Sequence, residues 1–328
     1  MNPLITMRQV YRWMVLLCLV CLTDASMADD YPIKPVRIVV PYPAGGSGDI
    51  VARAISQRMA ERLGQAVIVD NRAGANGNIG TEFVARASPD GYTLLLATDI
   101  QFAISPVLGL PMPYDPERDF TPISLVAFVE LILAAHPSLG ANNMQDLLAR
   151  SRALAGKMNY ASTGFGSTHH LSIELLKRMG GFEVTHVPYK GSAQALPDLL
   201  SGQVQLMQLG VPQTLPFLKD GRLRALGVGS SRRLAVLPDV PTIAEQGFAG
   251  YEANNSWCLY APAGTPPEIV RRLQREISSV IALPDLRERF AAMGLSPIGS
   301  SPEELSARMV ADREKWRQLI RGAGLLSN

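Results

Sequence analysis

Cysteine is scarce in this sequence, and its positions exclude two common ways of stabilising a fold. Only Cys18, Cys21 and Cys258 occur among 328 residues. The first two lie in an N-terminal segment whose removal is predicted, which would leave Cys258 alone. One cysteine cannot form an intramolecular disulfide or a cysteine-based zinc site. The mature fold must therefore be stabilised by packing.

An excess of positive or negative charge is also missing. The chain has 31 Lys and Arg residues against 29 Asp and Glu residues, a formal net charge of +2. Loss of residues 1–28 would lower these counts to 29 and 28, because the segment contains Arg8, Arg12 and Asp24. A near-neutral chain lacks the basic surface by which proteins bind nucleic acids, so we expect no nucleic-acid partner. The 47% hydrophobic content is typical of a globular protein with a sizeable core.

Hydrophobic runs long enough to cross a membrane are missing as well. The apolar run Trp13–Leu22 has about ten residues, whereas a membrane-spanning helix needs roughly 20. Arg8 and Arg12 precede this run, and the small residues Ser26 and Ala28 follow it. This pattern is typical of a secretory signal peptide rather than a membrane anchor. We predict that residues 1–28 are a signal peptide cleaved after Ala28, and that the mature chain lies in the periplasm.

Motifs of the common enzyme classes are absent. The loop around Ser47 lacks the last glycine of the G-x-S-x-G nucleophile elbow, and no Walker A sequence occurs. The Gly164–Gly166 segment lacks the third glycine of G-x-G-x-x-G. His169 and His170 are adjacent, so they lie on different helix faces and cannot chelate one metal ion. We predict no catalytic residue, cofactor or metal. A hydrolase that uses Ser47 or Ser167 with His170 is the disfavoured alternative.

Short apolar runs alternate with amphipathic stretches in the mature sequence, which predicts βαβ units and a parallel sheet in each half. Two apolar segments, Ser124–His136 and Ser256–Ala261, could carry the chain from one half to the other and back. We predict two α/β lobes, the first formed by residues 29–125 and 256–328 and the second by residues 126–255. The predicted strands are Val36–Pro41, Ala66–Val69, Tyr92–Thr98, Met158–Ser162, Val184–Pro188, Val204–Leu209 and Leu223–Val228.

Two corners, one in each half, join a strand to a helix through a glycine-rich loop: Pro41–Asp49 and Ser162–His170. The first N–H groups of a helix have no internal partner, and the helix dipole places about half a positive charge there. Glycine allows a ligand to approach the backbone closely. Neither loop contains Lys or Arg, which favours a carboxylate bound by amides and hydroxyls over a phosphate. The alternative is that the glycines serve only the geometry of two tight turns.

Side chains in and beside the corners add to this interpretation. Asp49 is predicted to cap the first helix, and Tyr42 and Phe165 offer flat apolar walls. Thr98 ends the third predicted strand, at the edge where open α/β sheets bind ligands. The Tyr189–Gly191 segment also follows a strand, and it either lines the same pocket or forms an ordinary turn.

Several sequence blocks are similar to those of a known receptor family. They are VPYPAGGSGDIVAR, NYASTGFGSTHHL, VPYKGSAQALPDLLSGQVQLM and LRALGVGSSRRLAVLPDVPTIAEQGFAGYE, in the family's order between about residues 31 and 300. The chain thereby resembles the Bug/TctC receptors, which are the extracytoplasmic solute-binding proteins of tripartite tricarboxylate transporters.

The resemblance implies a type II periplasmic binding protein rather than an enzyme. This α/β fold has two lobes, each a mainly parallel sheet flanked by helices, with two crossing hinge segments. The implied function is capture of a small carboxylate (an organic acid, an amino acid or an aromatic acid) between the lobes by a monomer, for delivery to membrane permease subunits. A periplasmic subunit that serves a membrane sensor kinase is the alternative.

One departure from the family pattern concerns a strand of the second half. Where the family commonly has acidic residues, this chain has Gln205-Leu206-Met207-Gln208-Leu209, which puts in doubt a ligand amino group that needs a carboxylate partner there. The predicted ligand-binding residues combine the two corners with nearby strand ends and Gln208. They are Tyr42, Pro43, Ala44, Gly45, Gly46, Ser47, Asp49, Thr98, Thr163, Gly164, Phe165, Gly166, Ser167, Thr168, His170, Tyr189, Gly191 and Gln208.

Overall fold

Strands and helices alternate along most of the chain in the computed structural model, which describes residues 31–154 and 156–322. The predicted signal peptide and its cleavage site lie outside these residues. The strands are β1 Val36–Val40, β2 Val67–Asn71, β3 Thr93–Ala97, β4 Phe120–Ala135, β5 Asn159–Ser162, β6 Thr185–Pro188, β7 Leu206–Gly210, β8 Arg224–Val228, β9 Asn254–Pro262 and β10 Leu295–Pro297.

The helices follow most of the strands, as expected for βα units. They are α1 Ser47–Leu63, α2 Asn78–Ala85, α3 Ser105–Leu108, α4 Met144–Leu154, α5 Thr168–Gly180, α6 Ser192–Leu200, α7 Val211–Lys219, α8 Pro267–Ala282, α9 Pro284–Ala292 and α10 Pro302–Gly322. A π-helical turn, Ile100–Ile104, precedes α3, and short 3₁₀ turns occur at Ala75–Gly77, Pro137–Leu139 and Ala244–Gln246.

Two sheets share the long strand β4. The first sheet has the order β2-β1-β3-β9-β4, with β10 also paired to β4. The second continues from β4 through β7 and β5 to β6, with β8 on the other side of β4. Strands β1, β2 and β3 are parallel, as are β5, β6 and β7, whereas every pairing of β4 and β9 is antiparallel. The parallel strands therefore flank an antiparallel centre that connects two lobes.

The chain changes lobes within β4. Its residues up to Glu130 pair with β9 in the first sheet, and its residues from Leu131 pair with β7 and β8 in the second. Strand β9, which begins at Asn254, pairs only within the first sheet. These pairings place the two crossings at Glu130–Leu131 and before Asn254. The lobe boundaries at residues 126 and 255 stay predictions.

Helices cover both sheets, which explains the continuous apolar runs of the parallel strands. Strand β1 shows the arrangement, because Ile38 packs with α1, α8 and α9 whereas Val39 faces the opposite side with Leu305 of α10. The C-terminal helices thus pack against the strands of the first sheet. Each fully buried aliphatic side chain contributes about 1.5–3 kcal/mol to folding. Within the described part of the chain, no helix combines the length and hydropathy needed to span a membrane.

Candidate ligand-binding site

A small, partly open cavity lies between the two lobes, beyond the carboxyl ends of β1, β3 and β5. It leaves about 20 Å³ for the centres of water molecules, which is room for about one water. The lobes are therefore in a closed arrangement. Of the described residues, the first lobe contributes Tyr42, Pro43, Gly46, Ser47, Gly48, Thr98, Ile100, Asn255 and Trp257 to the lining, and the second contributes Thr163, His169 and Ser192.

Gln213 of α7 joins the two lobes beside this cavity. Its Oε1 accepts hydrogen bonds from Ser47 Oγ at 2.9 Å and from Ser192 Oγ at 3.1 Å. Its Nε2 donates to the carbonyl oxygen of Gly45 at 3.1 Å. Because Ser47 and Gly45 belong to the first lobe, this buried amide stabilises the closed arrangement.

Gly191 allows the backbones of the two lobes to come together. A Cβ atom at this position would lie 2.6 Å from Cδ of Pro43 in the opposite lobe. The φ angle of Gly191 is 170°, which is extended backbone open to any residue. The glycine is therefore required by the contact with Pro43 and not by backbone strain. The predicted role of Gly191 in ligand binding stays a prediction.

Part of the backbone of the first glycine corner forms hydrogen bonds within the corner itself. Helix α1 has Gly46 as N-cap and Asp49 as its third residue. Asp49 Oδ2 accepts from the Gly45 N–H at 3.0 Å and from Arg53 Nε at 2.9 Å. Burial alone would raise the pKa of Asp49, but the hydrogen bonds from Arg53 and Gly45 lower it below its ordinary value. The prediction that Asp49 is the N-cap is wrong, because the helix begins at Ser47.

More of the polar groups in the second glycine corner form hydrogen bonds within the corner. Ser167 is the N-cap of α5, and its Oγ accepts from the His170 N–H at 3.1 Å and donates to the Gly164 carbonyl at 2.7 Å. The Gly166 N–H donates to His170 Nδ1 at 3.2 Å, and the Gly164 N–H donates to Ser162 Oγ at 3.0 Å. The Ser167 hydroxyl and the His170 ring thus form hydrogen bonds at the start of the helix, and neither residue lines the cavity.

Unpaired N–H groups remain at three helix starts. Within residues 31–154 and 156–322, the N–H groups of Ser47 and Gly48 in α1, His169 in α5 and Ser192 in α6 form no hydrogen bond. All four residues line the cavity. Each helix start carries a partial positive charge. These helix starts therefore offer partial positive charge to the cavity, although no charged side chain lines it.

His169 contributes a neutral imidazole to the wall. Its Nδ1 lies 3.0 Å from Thr163 Oγ1, and burial lowers the pKa of His169 to about 4. Its Nε2 has no hydrogen-bond partner in the described structure, and the same holds for Asn255 Oδ1 and Trp257 Nε1. These three buried polar atoms leave the cavity with hydrogen-bonding capacity that the protein itself does not use.

Polar side chains of the first lobe hold Tyr42 and Thr98 in place. The Tyr42 hydroxyl accepts from Gln101 Nε2 at 3.0 Å and lies 3.4 Å from Thr98 Oγ1. Gln101 Nε2 also donates to the Asn76 carbonyl at 2.9 Å. Burial raises the pKa of Tyr42 to about 12, so the phenol stays neutral. The Tyr42 ring also packs edge-on against Trp257.

The predicted site residues divide into two groups. Six line the cavity: Tyr42, Pro43, Gly46, Ser47, Thr98 and Thr163. The structure places the others outside the lining: Ala44, Gly45, Asp49, Gly164, Phe165, Gly166, Ser167, Thr168, His170, Tyr189, Gly191 and Gln208.

Several side chains outside the lining have another partner or are exposed to solvent. Thr168 Oγ1 donates to Asp99 at 3.4 Å, Tyr189 OH donates to Asp198 at 2.6 Å, and Gln208 Nε2 donates to Tyr251 OH at 2.7 Å. Phe165 is 54% exposed. Direct contact of these side chains with a ligand therefore stays a prediction.

Sequence reasoning missed Gly48, Ile100, His169, Ser192, Asn255, Trp257 and Gln213. His169 was set aside because it neighbours His170, although the start of a helix directs successive side chains to different sides. Asn255 and Trp257 lie on β9, which the sequence indicated only as a segment between lobes. A polar residue and an aromatic residue two positions apart on such a strand were the available signal, because alternate strand residues share a face.

The sequence model of the tripartite tricarboxylate transporter family receptor, TctC, matches residues 51–325. The chain belongs to this receptor family. Protein BugT of Bordetella pertussis (strain Tohama I) is 37% identical over 298 residues, which cover 90% of this chain and 91% of BugT.

Solved structures agree with this assignment. The structure of R. palustris Rpa4515 with adipate matches with a TM-score of 0.87 at 37% identity, covering 90% of this chain and 99% of that one. MatC from Rhodopseudomonas palustris with bound malate matches with a TM-score of 0.83 at 32% identity, covering 88% and 100%. The chain is a solute-binding receptor with a two-lobed type II fold, so both predictions are confirmed. The family comprises receptors rather than enzymes.

Proposed function

We propose that this receptor captures a small carboxylate in the cavity between its lobes and delivers it to the membrane subunits of a tripartite tricarboxylate transporter. The observation that carries the proposal is the convergence of three helix starts, α1, α5 and α6, on one cavity. The lining includes Ser47, Gly48, His169 and Ser192, whose N–H groups form no hydrogen bond in the described structure. Such groups bind anions without Lys or Arg. Two relatives hold adipate and malate, which supports a carboxylate as the ligand.

Both lobes are needed for useful affinity. A hydrogen bond to a charged group contributes about 1.5–3 kcal/mol, whereas micromolar affinity requires about 8 kcal/mol. One helix start offers too few bonds once the entropic cost of association is included. Amides from α1 in the first lobe and from α5 and α6 in the second reach this range together, so the ligand should stabilise the closed lobes.

The predicted site residues take two kinds of role in this proposal. Ser47, Thr98 and Thr163 supply hydroxyls at the wall, and Tyr42, Pro43 and Gly46 shape it. Residues outside the lining hold the backbone of the corners or join the lobes: Ala44, Gly45, Asp49, Gly164, Phe165, Gly166, Ser167, Thr168, His170, Tyr189 and Gly191. Gln208 is assigned to the interior of the second lobe.

Location and partners follow from the same proposal. Cleavage after Ala28 would release a monomeric receptor into the periplasm, where ligand-closed lobes present the surface that the permease subunits recognise. A subunit that serves a sensor kinase is not favoured, because the family is defined by its transporter.

Thermal unfolding of the mature chain tests the proposal with matched pairs of ligands. Small carboxylates should raise the melting temperature, since a ligand at 100 times its Kd adds about 2.7 kcal/mol of stability. The corresponding primary amides, which have the same shape without the charge, should give no shift. A panel of organic, aromatic and amino acids without any stabilising member, or equal shifts from acids and amides, would contradict the proposal.

A further inference from the structure

Gln213 forms hydrogen bonds to both lobes but does not itself line the cavity. It is the third residue of α7 in the second lobe, and only 6% of it is exposed. Its Oε1 accepts from the hydroxyls of Ser47 at 2.9 Å and Ser192 at 3.1 Å. These serines are the first residues of α1 and α6, which belong to opposite lobes. One amide oxygen therefore connects two of the helix starts that line the cavity.

The orientation of the Gln213 amide decides which groups of these serines can serve a ligand. Gln213 Nε2 donates to the carbonyl oxygen of Gly45 at 3.1 Å, and a reversed amide would bring two acceptor oxygens together there. Each serine hydroxyl therefore uses its single proton on Oε1 and keeps only lone pairs. An ionised carboxylate only accepts hydrogen bonds. At Ser47 and Ser192 it is left with the backbone N–H groups, which form no hydrogen bond in the part of the chain that the structure describes.

Two glycines allow the helix starts to approach this amide closely. A Cβ atom on Gly210, the N-cap of α7, would lie 2.5 Å from Ser47 Oγ. The φ angle of Gly210 is −62°, which any residue can adopt, so this glycine makes room for the Ser47 hydroxyl. A Cβ atom on Gly46, the N-cap of α1, would lie 3.6 Å from Ser192 Oγ. The starts of α1, α6 and α7 thus pack together around the Gln213 amide.

We propose that Gln213 is a positioning residue for ligand binding, which holds the starts of α1 and α6 together so that the N–H groups of Ser47 and Ser192 serve one carboxylate. Gln213 makes no contact with the ligand. The inference rests on the proposed function and adds a residue outside the cavity that sets its affinity. Because Gln213 acts on donors that every carboxylate ligand shares, its loss should weaken all ligands by the same factor. Loss of a direct ligand contact would instead change their relative affinities.

Gln213→Met tests this role, because Met has a similar length and forms none of the three hydrogen bonds. Wild type and variant are titrated calorimetrically with butyrate, malate, adipate, benzoate and glutamate. The affinity of each acid that binds wild type should fall about tenfold, as expected for the loss of two hydrogen bonds between the lobes. The ratios of affinity between the acids should stay as they are in wild type.

Gln246→Met is the matched control, because Gln246 also forms three hydrogen bonds but only within the second lobe. Its Oε1 accepts from the Met144 N–H at 2.9 Å, and its Nε2 donates to the carbonyl oxygens of Leu226 at 2.9 Å and Thr242 at 3.3 Å. This variant should lower the melting temperature and leave the affinities unchanged. An equal loss of affinity in the two variants would mean that destabilisation alone weakens binding, and would overturn the positioning role.

A double-mutant cycle shows whether Gln213 acts through the two serines. The pair Ser47→Ala and Ser192→Ala removes both hydroxyl donors and keeps Gln213, so it also tests the role if Gln213→Met does not fold. The pair should lose nearly as much affinity as Gln213→Met, and Gln213→Met should cost little more in that background. Additive losses, altered ratios between the acids, or wild-type affinity in the pair or in Gln213→Met would overturn the positioning role and leave the receptor proposal intact. A wild type that binds none of the acids would overturn the receptor proposal itself.

Discussion

The two glycine corners share one hydrogen-bonding arrangement at the start of the helix. In each, the third residue of the helix accepts a hydrogen bond from the glycine N–H that precedes the N-cap: Asp49 from Gly45 at 3.0 Å, and His170 from Gly166 at 3.2 Å. Both glycines have left-handed backbones, with φ of 80° and 75°. The equivalence explains why the two sequences look alike, although Asp49 and His170 are chemically different.

The corners differ at two equivalent positions. The N-cap is Gly46 in the first corner, with no side-chain bond, and Ser167 in the second, which caps the helix. The second helical residue is Gly48 in the first corner and His169 in the second, and both line the cavity. The first corner therefore exposes backbone to the ligand, whereas the second presents a side chain. Matching glycine loops do not imply matching contacts with a ligand.

Gly48→Ala should have the largest effect, because it removes the open backbone of the first corner. A Cβ atom there would overlap the Trp257 ring and occupy the cavity. Carboxylate affinity should fall about 100-fold, since overpacking of this kind costs about 1–3 kcal/mol and the ligand space is lost as well. Isothermal titration measures the effect. His169→Ala, at the equivalent position, should lose affinity less, and the reverse order would contradict the comparison.

Gly191→Ala should impair closure of the lobes without impairing folding. Its Cβ atom would meet Pro43 of the first corner only when the lobes are closed. Affinity should fall about tenfold, while the melting temperature of the unliganded chain should stay close to wild type. Small-angle scattering should show a smaller ligand-induced compaction than in wild type. Normal affinity with normal compaction would show that this contact does not govern closure.

Replacing one serine in each corner with alanine should have a different effect in each corner. Ser167→Ala removes the N-cap of α5 and should lower the free energy of unfolding by about 1 kcal/mol. Ser47→Ala removes the hydrogen bond to Gln213 across the lobes and should weaken binding severalfold with little change in stability. Chemical denaturation and titration of both variants give the comparison. A binding defect confined to Ser167→Ala would reverse the assigned roles.

Asp99→Asn should change only the pH dependence of stability. Burial, with Asp312 nearby, raises the pKa of Asp99 to about 7, while hydrogen bonding from Trp316 and the charge of Arg308 oppose the shift. Thr168 of α5 also donates to this carboxyl.

The raised pKa fixes the sign of this effect. The folded state holds the Asp99 proton between pH 3.8 and about 7 and the unfolded state does not, so wild type loses stability as pH rises through this range. The variant should gain stability relative to wild type over the same interval and keep the gain above pH 7. A constant difference in melting temperature from pH 4 to 8 would contradict this.

Local sequence signals predicted seven of the ten described strands, most helices and both corners. These signals failed where the structure depends on the exact start of a helix or on contacts between residues far apart in sequence. Helix α1 starts at Ser47 rather than at Ile50, which makes Asp49 its third residue instead of its N-cap. Ser167 was expected to bind ligand, but an N-cap hydroxyl is already occupied by the helix it caps.

The missed part of the site depends on long-range contacts. Asn255 and Trp257 reach the cavity because β9 pairs antiparallel with β3 and β4. Gln213 meets Ser47 across 166 positions of sequence and from the opposite lobe. No local sequence pattern predicts contacts between residues this far apart in the chain. Composition and spacing could therefore locate the two backbone corners, but not the side chains that complete the wall between them.

Ligand capture as proposed depends on free backbone N–H groups of both lobes binding one carboxylate. Amide proton and nitrogen chemical shifts of the ¹⁵N-labelled mature chain, followed while a binding carboxylate is added, test this directly. We expect the amide signals of Ser47, Gly48, His169 and Ser192 to shift together and to saturate with the same Kd, with protons moving downfield. Saturable shifts that spare these amides, or that occur in only one lobe, would contradict it.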